Sequence, residues 1–120
     1  VEEADDHLSQ AVELDDNLKY DEPWGWMQPA RHALGALLLE QGHVQKAKQI
    51  YLDDLGLSNT LVSISHHTDN LWSLHGLVEC LELEGDLIQA KYMRVRLNLA
   101  KARADVPIEA SCACRLQHLN

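Results

Sequence analysis

The chain has no phenylalanine, and its aromatic side chains are three Trp and three Tyr among 120 residues. A core without Phe must be built from Leu, Ala, Val and Ile, which favours closely packed helices. Prolines number three and glycines six, too few for a low-complexity or collagen-like chain. No apolar run approaches the roughly eighteen residues of a membrane-spanning helix. No basic segment followed by an apolar one opens the chain, so no secretory signal is visible. Positive charge is also scarce: ten Lys and Arg against nineteen Asp and Glu give a net charge of −9. That balance argues against nucleic acid or an anionic membrane as the main partner. A length of 120 residues has room for one small domain.

Charge is unevenly placed. Residues 1–22 carry nine acids against Lys19, a local −8, while residues 87–104 carry Lys91, Arg94, Arg96, Lys101 and Arg103 with no acid. The plainer reading is two solvated helix faces of opposite sign; the sharper one is head-to-tail attraction between neighbouring chains. The three cysteines are Cys80, Cys112 and Cys114. An odd count, with Cys80 inside an apolar helical run, does not suggest a disulfide framework, and a reducing, cytoplasmic setting is expected.

Apolar spacing places five helices. The first covers 4–19 and is acidic, with Ala4, Leu8, Ala11, Val12, Leu14 and Leu18 at helical spacing. Tyr20 to Pro23 reads as its stop, and Trp24-Gly25-Trp26 as a linker or hydrophobic plug. Two helices within 28–55 follow, with a turn at Gly42 between them. Residues 56–67 read as an inserted loop, containing His66 and His67. Two more helices fill 68–103, with Gly85 at their turn and Thr68 or Asp69 as the expected N-cap. Residues 104–120 form an irregular tail. No useful β pattern occurs, so the class is all-α.

The two helix pairs repeat. Placing Gly42 on Gly85, a shift of 43 residues, also aligns Leu34 with Leu77, Leu38 with Leu81 and Ala47 with Ala90. The glycine makes the inter-helix turn, the alanine lets the helices approach, and the leucines fill the seam. The series Leu34-Gly35, Leu38, Gly42, Ala47, Tyr51 resembles the tetratricopeptide repeat. Arg31 stands at that family's Trp position and Asp54 at its final small residue. In the second unit Val78 stands at the small glycine and Arg94 at the aromatic. Tyr20 to Trp26 and Cys112-Ala113-Cys114-Arg115 are similar to segments of uncharacterised microbial and fungal repeat proteins. The resemblance covers about residues 4–103 and implies an antiparallel helix-pair α-solenoid, with the first helix belonging to a truncated unit and the nine residues beyond the family's period held in the 56–67 loop. A chain opening on Val1 in mid-repeat is expected to be a fragment of something longer.

In such arrays the first helix of each pair lines a concave groove. The resemblance places His32, Ala36 and Leu39 of one unit there, with Trp72, His75, Glu79 and Glu82 of the next. The Lys, Arg and Asn set that clamps a peptide carboxylate in the chaperone-tail type of repeat is absent. An acidic groove with His and Trp suits a basic or apolar segment; the plainer alternative is that these side chains are solvated or packed against the tail. His32, His75 and Glu79 form a thin divalent-metal set, because imidazole and carboxylate suit zinc or copper. Cys112 and Cys114, with His118 nearby, form another, although one intervening residue is not the usual metal or redox spacing. No phosphate-cradling loop, nucleophile elbow or His-Glu-x-x-His is present. The expectation is a non-enzymatic protein- or peptide-binding module without cofactor. The alternatives are a small metal-binding or redox protein, or a self-associating scaffold whose end helices lack caps.

Overall fold

In the computed structural model, residues 2–17, 29–58, 66–105 and 107–112 are described. They form five α-helices: α1 (Glu2–Asp16), α2 (Ala30–Glu40), α3 (Val44–Leu55), α4 (Leu71–Glu84) and α5 (Leu87–Ala102). No strand occurs among the described residues. The fold is all-α and built from helical hairpins. Each helix packs on the next in sequence, and α2 also meets α4. The extents of 35 × 32 × 32 Å are those of a globule rather than a rod. The segment containing Trp24 and Trp26, residues 59–65 of the inserted loop, and Cys114 to Asn120 lie outside the described residues.

The turns follow from the glycines. At Gly42 and Gly85 the backbone has φ of 80° and 79°, a left-handed conformation in which glycine meets no Cβ penalty. The N–H groups of the residues that follow, His43 and Asp86, donate back to the carbonyls of Leu38 and Leu81 at 2.8 and 3.0 Å. This closes otherwise unpaired carbonyls at the ends of α2 and α4.

The N-cap of helix α4 falls one residue later than Asp69. Asn70 is its N-cap, its side-chain oxygen accepting the Ser73 N–H at 2.9 Å. Asp69 instead has a φ of 55°, a left-handed conformation that Asp tolerates better than most residues. Its carboxylate accepts hydrogen bonds from Arg96 on α5.

The acidic α1 is fastened to α2 at both ends of the pair. Gln41 Nε2 donates to Asp5 Oδ1 at 2.9 Å, and Asp15 Oδ2 accepts the Ala30 N–H at 2.9 Å. Asp15 thereby caps the start of α2, where Pro29 offers no side-chain acceptor. Arg31, buried in the interface, forms a two-pronged pair with Asp16 through its Nη1 and Nη2 atoms. Burial works against the guanidinium charge, but the hydrogen bonds and field of Asp16 outweigh it and raise the Arg31 pKa. Leu8 and Val12 carry the apolar side of the same contact. Three of the acids in the N-terminal negative stretch are therefore bound to α2 rather than left wholly to solvent.

The core runs through α2, α3 and α4, with Leu34, Leu38, Ala47, Tyr51, Leu55, Leu74, Leu77 and Leu81 among its buried members. Tyr51 is its centre and takes the place that Phe would fill elsewhere. Its ring is wedged between Gly35 of α2 and Gly76 of α4. A Cβ on Gly35 would sit 2.6 Å from the ring atoms Cε1 and Cζ, and a Cβ on Gly76 would meet the same ring closer still. Both helices approach the ring through backbone alone. The repeat register assigns the small position of the second unit to Val78, but the close approach in that helix is made two residues earlier, at Gly76. The reason is that Gly76 faces the preceding unit's tyrosine, not the tyrosine-like position of its own unit.

Candidate functional site

Tyr51 rises from α3, passes between α2 and α4 at the two glycines, and ends beyond them. There its hydroxyl donates to Ser111 Oγ at 2.8 Å. Ser111 belongs to the C-terminal tail, so the tail lies across the face of α2 and α4 that points away from α3. The hydrogen bond is enclosed: Tyr51 and Ser111 are both fully buried. Ile108, Ala110 and Cys112 are buried beside it, with Glu109 exposed. A short chain segment, with Ile108 and Ala110 to Cys112 buried and only Glu109 between them exposed, is thus seated on a helical face and anchored at one hydroxyl.

The residues that the repeat register assigns to the groove differ in burial, and His32 among them turns toward α3, where it meets Asp54. His32, Ala36 and Leu39 on α2 are buried. Trp72, His75 and Glu79 on α4 are half-buried, and Glu82 is exposed. Glu82 pairs with Arg94 of α5. The structural repeat residues Leu34, Gly35, Ala47, Tyr51, Leu77 and Ala90 are all buried at the seams, and Gly42 and Gly85 are exposed at the turns.

A second constellation lies where α2, α3, the loop and α4 meet. Asp54, fully buried near the end of α3, accepts four side-chain hydrogen bonds. Its Oδ2 accepts from His32 Nε2 at 3.0 Å, Asn70 Nδ2 at 2.9 Å and Ser73 Oγ at 2.6 Å. Its Oδ1 accepts from His67 Nδ1 at 2.5 Å. The Asp54 carbonyl also accepts the His67 N–H at 2.7 Å. Burial pushes the Asp54 carboxyl up, but the hydrogen bonds and charge of His32 and His67 outweigh it and hold it well below the usual carboxylate range. An ionised carboxylate only accepts, so both imidazoles present N–H to it and their tautomers are fixed at those atoms. The two rings meet edge to face with centroids 6.4 Å apart.

This cluster is a joint rather than a reactive pocket. The single Ser73 hydroxyl proton goes to Asp54, not to an imidazole, so the set contains no hydroxyl activated by a base. Its partners tie four consecutive structural pieces to one anion. Neither Asp54 nor His67 stood out as a candidate in the sequence. The available signal was the misfit itself, an acid at a position where the repeat pattern has a small apolar residue.

His32, placed by sequence in a metal set with His75 and Glu79, is engaged with Asp54. Among the described residues no group of three or more His, Cys, Asp or Glu side chains is arranged to hold a metal ion. Cys80 is buried and free, and burial together with Glu79 and Glu84 pushes its thiol up to about 12, which keeps it protonated. Cys112 is buried and disulfide-bonded. A disulfide at Cys112 departs from the expectation, drawn from the odd cysteine count and the buried Cys80, of a chain without disulfides in a reducing setting. No helix among the described residues is long and apolar enough to cross a membrane. No protein-family model, curated relative or solved structure matches the chain.

Proposed function

We propose that the chain is a non-enzymatic protein-interaction module of the tetratricopeptide type, which holds a peptide or partner-subunit segment against the face of α2 and α4. The observation that supports this most directly is the seating of Ile108 to Cys112 on that face, anchored by the Tyr51–Ser111 hydrogen bond. A face that buries an irregular segment of its own chain has the shape and the polar anchor that a partner's segment would use. The tail then acts as a resident occupant, and a ligand competes with it or extends from it. Trp72, His75 and Glu79, which the repeat register assigns to the same groove, are half-buried and suit an apolar or basic neighbour.

The test separates seat from occupant. A chain ending at Asp105 and a fluorescent peptide spanning residues 106–112 are titrated by anisotropy, with circular dichroism confirming that the shortened chain stays helical. Saturable binding that weakens in Trp72→Ala and Tyr51→Phe supports the reading. A helical shortened chain that binds neither this peptide nor basic and apolar peptides of the same length would count against it.

A further inference from the structure

Helix α5 carries a second surface, on the side away from the core. Ala90, Leu97 and Ala100 are buried against the rest of the protein, with Met93 packed beside them. On the other side Ile88, Tyr92, Val95 and Leu99 are between 59% and 84% exposed. Their spacing of four, three and four residues is that of the a and d positions of a heptad, so they form one continuous seam. A single exposed Leu on a protein surface is ordinary, but four large apolar side chains in register along one helix mark a contact surface.

The flanks of the seam indicate what fits it. In heptad terms they are Gln89, Arg96 and Arg103 on one side and Lys91 and Asn98 on the other. No acid occurs anywhere from residue 87 to 104. Arg94 and Arg96 are paired with Glu82 and Asp69 of the same chain, whereas Lys91 and Arg103 are exposed and have no ion pair among the described residues. A second copy joined through α5 would match the apolar seam but bring Lys91 and Arg103 of both chains together with no acid between them. A second copy joined through α1 would match charge but not shape, because Leu8 and Val12 are already packed on α2 and Leu14 is the one large apolar side chain that α1 leaves exposed.

We infer that the outer face of α5 is a docking surface for an amphipathic helix of a partner protein, with apolar residues at heptad spacing and Asp or Glu on its flanks. The surface is independent of the α2–α4 face, and either can fail without the other. Burial of the four seam side chains supplies the attraction, and the basic flanks select an acidic partner over a basic one.

The probes are two labelled three-heptad peptides with Leu at every a and d position, one with Glu and the other with Lys at the flanking positions. Each is titrated by fluorescence anisotropy against the full 120-residue chain at low and high salt. The acidic peptide is expected to bind saturably and at least about tenfold more tightly than the basic one, with the gap narrowing as salt screens the flanks. Tyr92→Ser should weaken it through the seam, and Lys91→Glu with Arg103→Glu should weaken it while leaving the seam intact. These positions are exposed, so each variant should keep the parent's Tm. Equal binding of both peptides would overturn the proposal, as would binding indifferent to both kinds of variant. A dimer in sedimentation that Tyr92→Ser dissolves would also overturn it, because a second copy would then cover the face.

Discussion

Replacing Asp54 with asparagine removes one charge and turns one acceptor oxygen into a donor, at a site where every neighbour is already a donor. The four partners do not suffer equally. Asn70 keeps its hydrogen bond to the His67 carbonyl at 2.7 Å, and His67 is exposed enough to find water. The remaining oxygen, turned toward the buried His32 and Ser73, still accepts from both but without its charge, and the new amide then faces His67 Nδ1. Leaving a buried donor unpaired costs about 1–3 kcal/mol each, and more when the lost partner is charged. One donor set against the new amide, with the buried hydrogen bonds of His32 and Ser73 stripped of their charge assistance, gives a loss of about 3–5 kcal/mol, the usual cost of breaking a buried ionic contact from one side. For a domain of this size that is a large share of a total of about 5–15 kcal/mol. Urea unfolding followed by helical circular dichroism should show the midpoint falling with an unchanged slope. The pH dependence gives a second reading of the same group. The folded-state pKa of Asp54 is lowered from 3.8, so the unfolded chain takes up this proton first as pH falls. Its contribution is complete well above pH 4 and is lost as pH drops through and below that value. The gap between the parent and Asp54→Asn should therefore narrow between pH 6 and pH 3.5. A variant within about 1 kcal/mol of the parent at pH 6, or a gap that widens on acidification, would refute the account of Asp54 as the ionised centre of the joint.

Two further substitutions and one chemical probe test other parts of the fold. Alanine for glycine inside a helix ordinarily stabilises by about 1 kcal/mol, but Gly76→Ala would drive a methyl group into the Tyr51 ring. Its sign should be reversed, a loss of about 1–3 kcal/mol in thermal or urea unfolding, and any gain would show that the ring is not wedged as described. Arg31→Lys keeps the charge but not the two-pronged contact with Asp16. It should cost about 1–2 kcal/mol and loosen α1 selectively, visible as faster amide exchange in residues 2–16 than in α4. Cys80, buried and with its thiol raised to about 12, should resist alkylation at pH 8 in the native chain and react at once in denaturant; rapid native labelling would contradict its enclosure.

Helix order and type were legible because they rest on short-range signals. The apolar periodicity, the glycines at the turns and the Leu/Ala seam act within a few residues, and the observed helices lie within a few residues of the expected ones. Asn70 was missed as the cap of α4 because Thr68 and Asp69 are equally capable in isolation. The choice is made by contacts from distant parts of the chain, Asp54 on the Asn70 amide and Arg96 on Asp69. The repeat register likewise led to Val78 rather than Gly76, because sequence similarity compares equivalent positions while a tyrosine packs against whatever the next helix places before it.

The buried polar contacts mark the limit of the repeat pattern. Arg31 and Asp54 are the two residues of the first unit that depart most from the pattern, and each is buried with its charge answered from outside that pattern's reach. Arg31 is met by Asp16 from the preceding helix, and Asp54 by His67, Asn70 and Ser73 from the following loop and helix. An apolar residue at either site would pack against any neighbour of suitable volume. A buried charge is tolerated only where its partners are in place, so these two residues restrict which helix can lie on each side of α2 and α3. The same reasoning explains why the seam on α5 stands out. On the α1 side the first unit closes with a charged pair specific to its neighbour, whereas at α5 the chain presents apolar side chains beside Lys91 and Arg103, which have no ion pair among the described residues. On the inferred docking of a partner helix at that surface, the acids come from the partner.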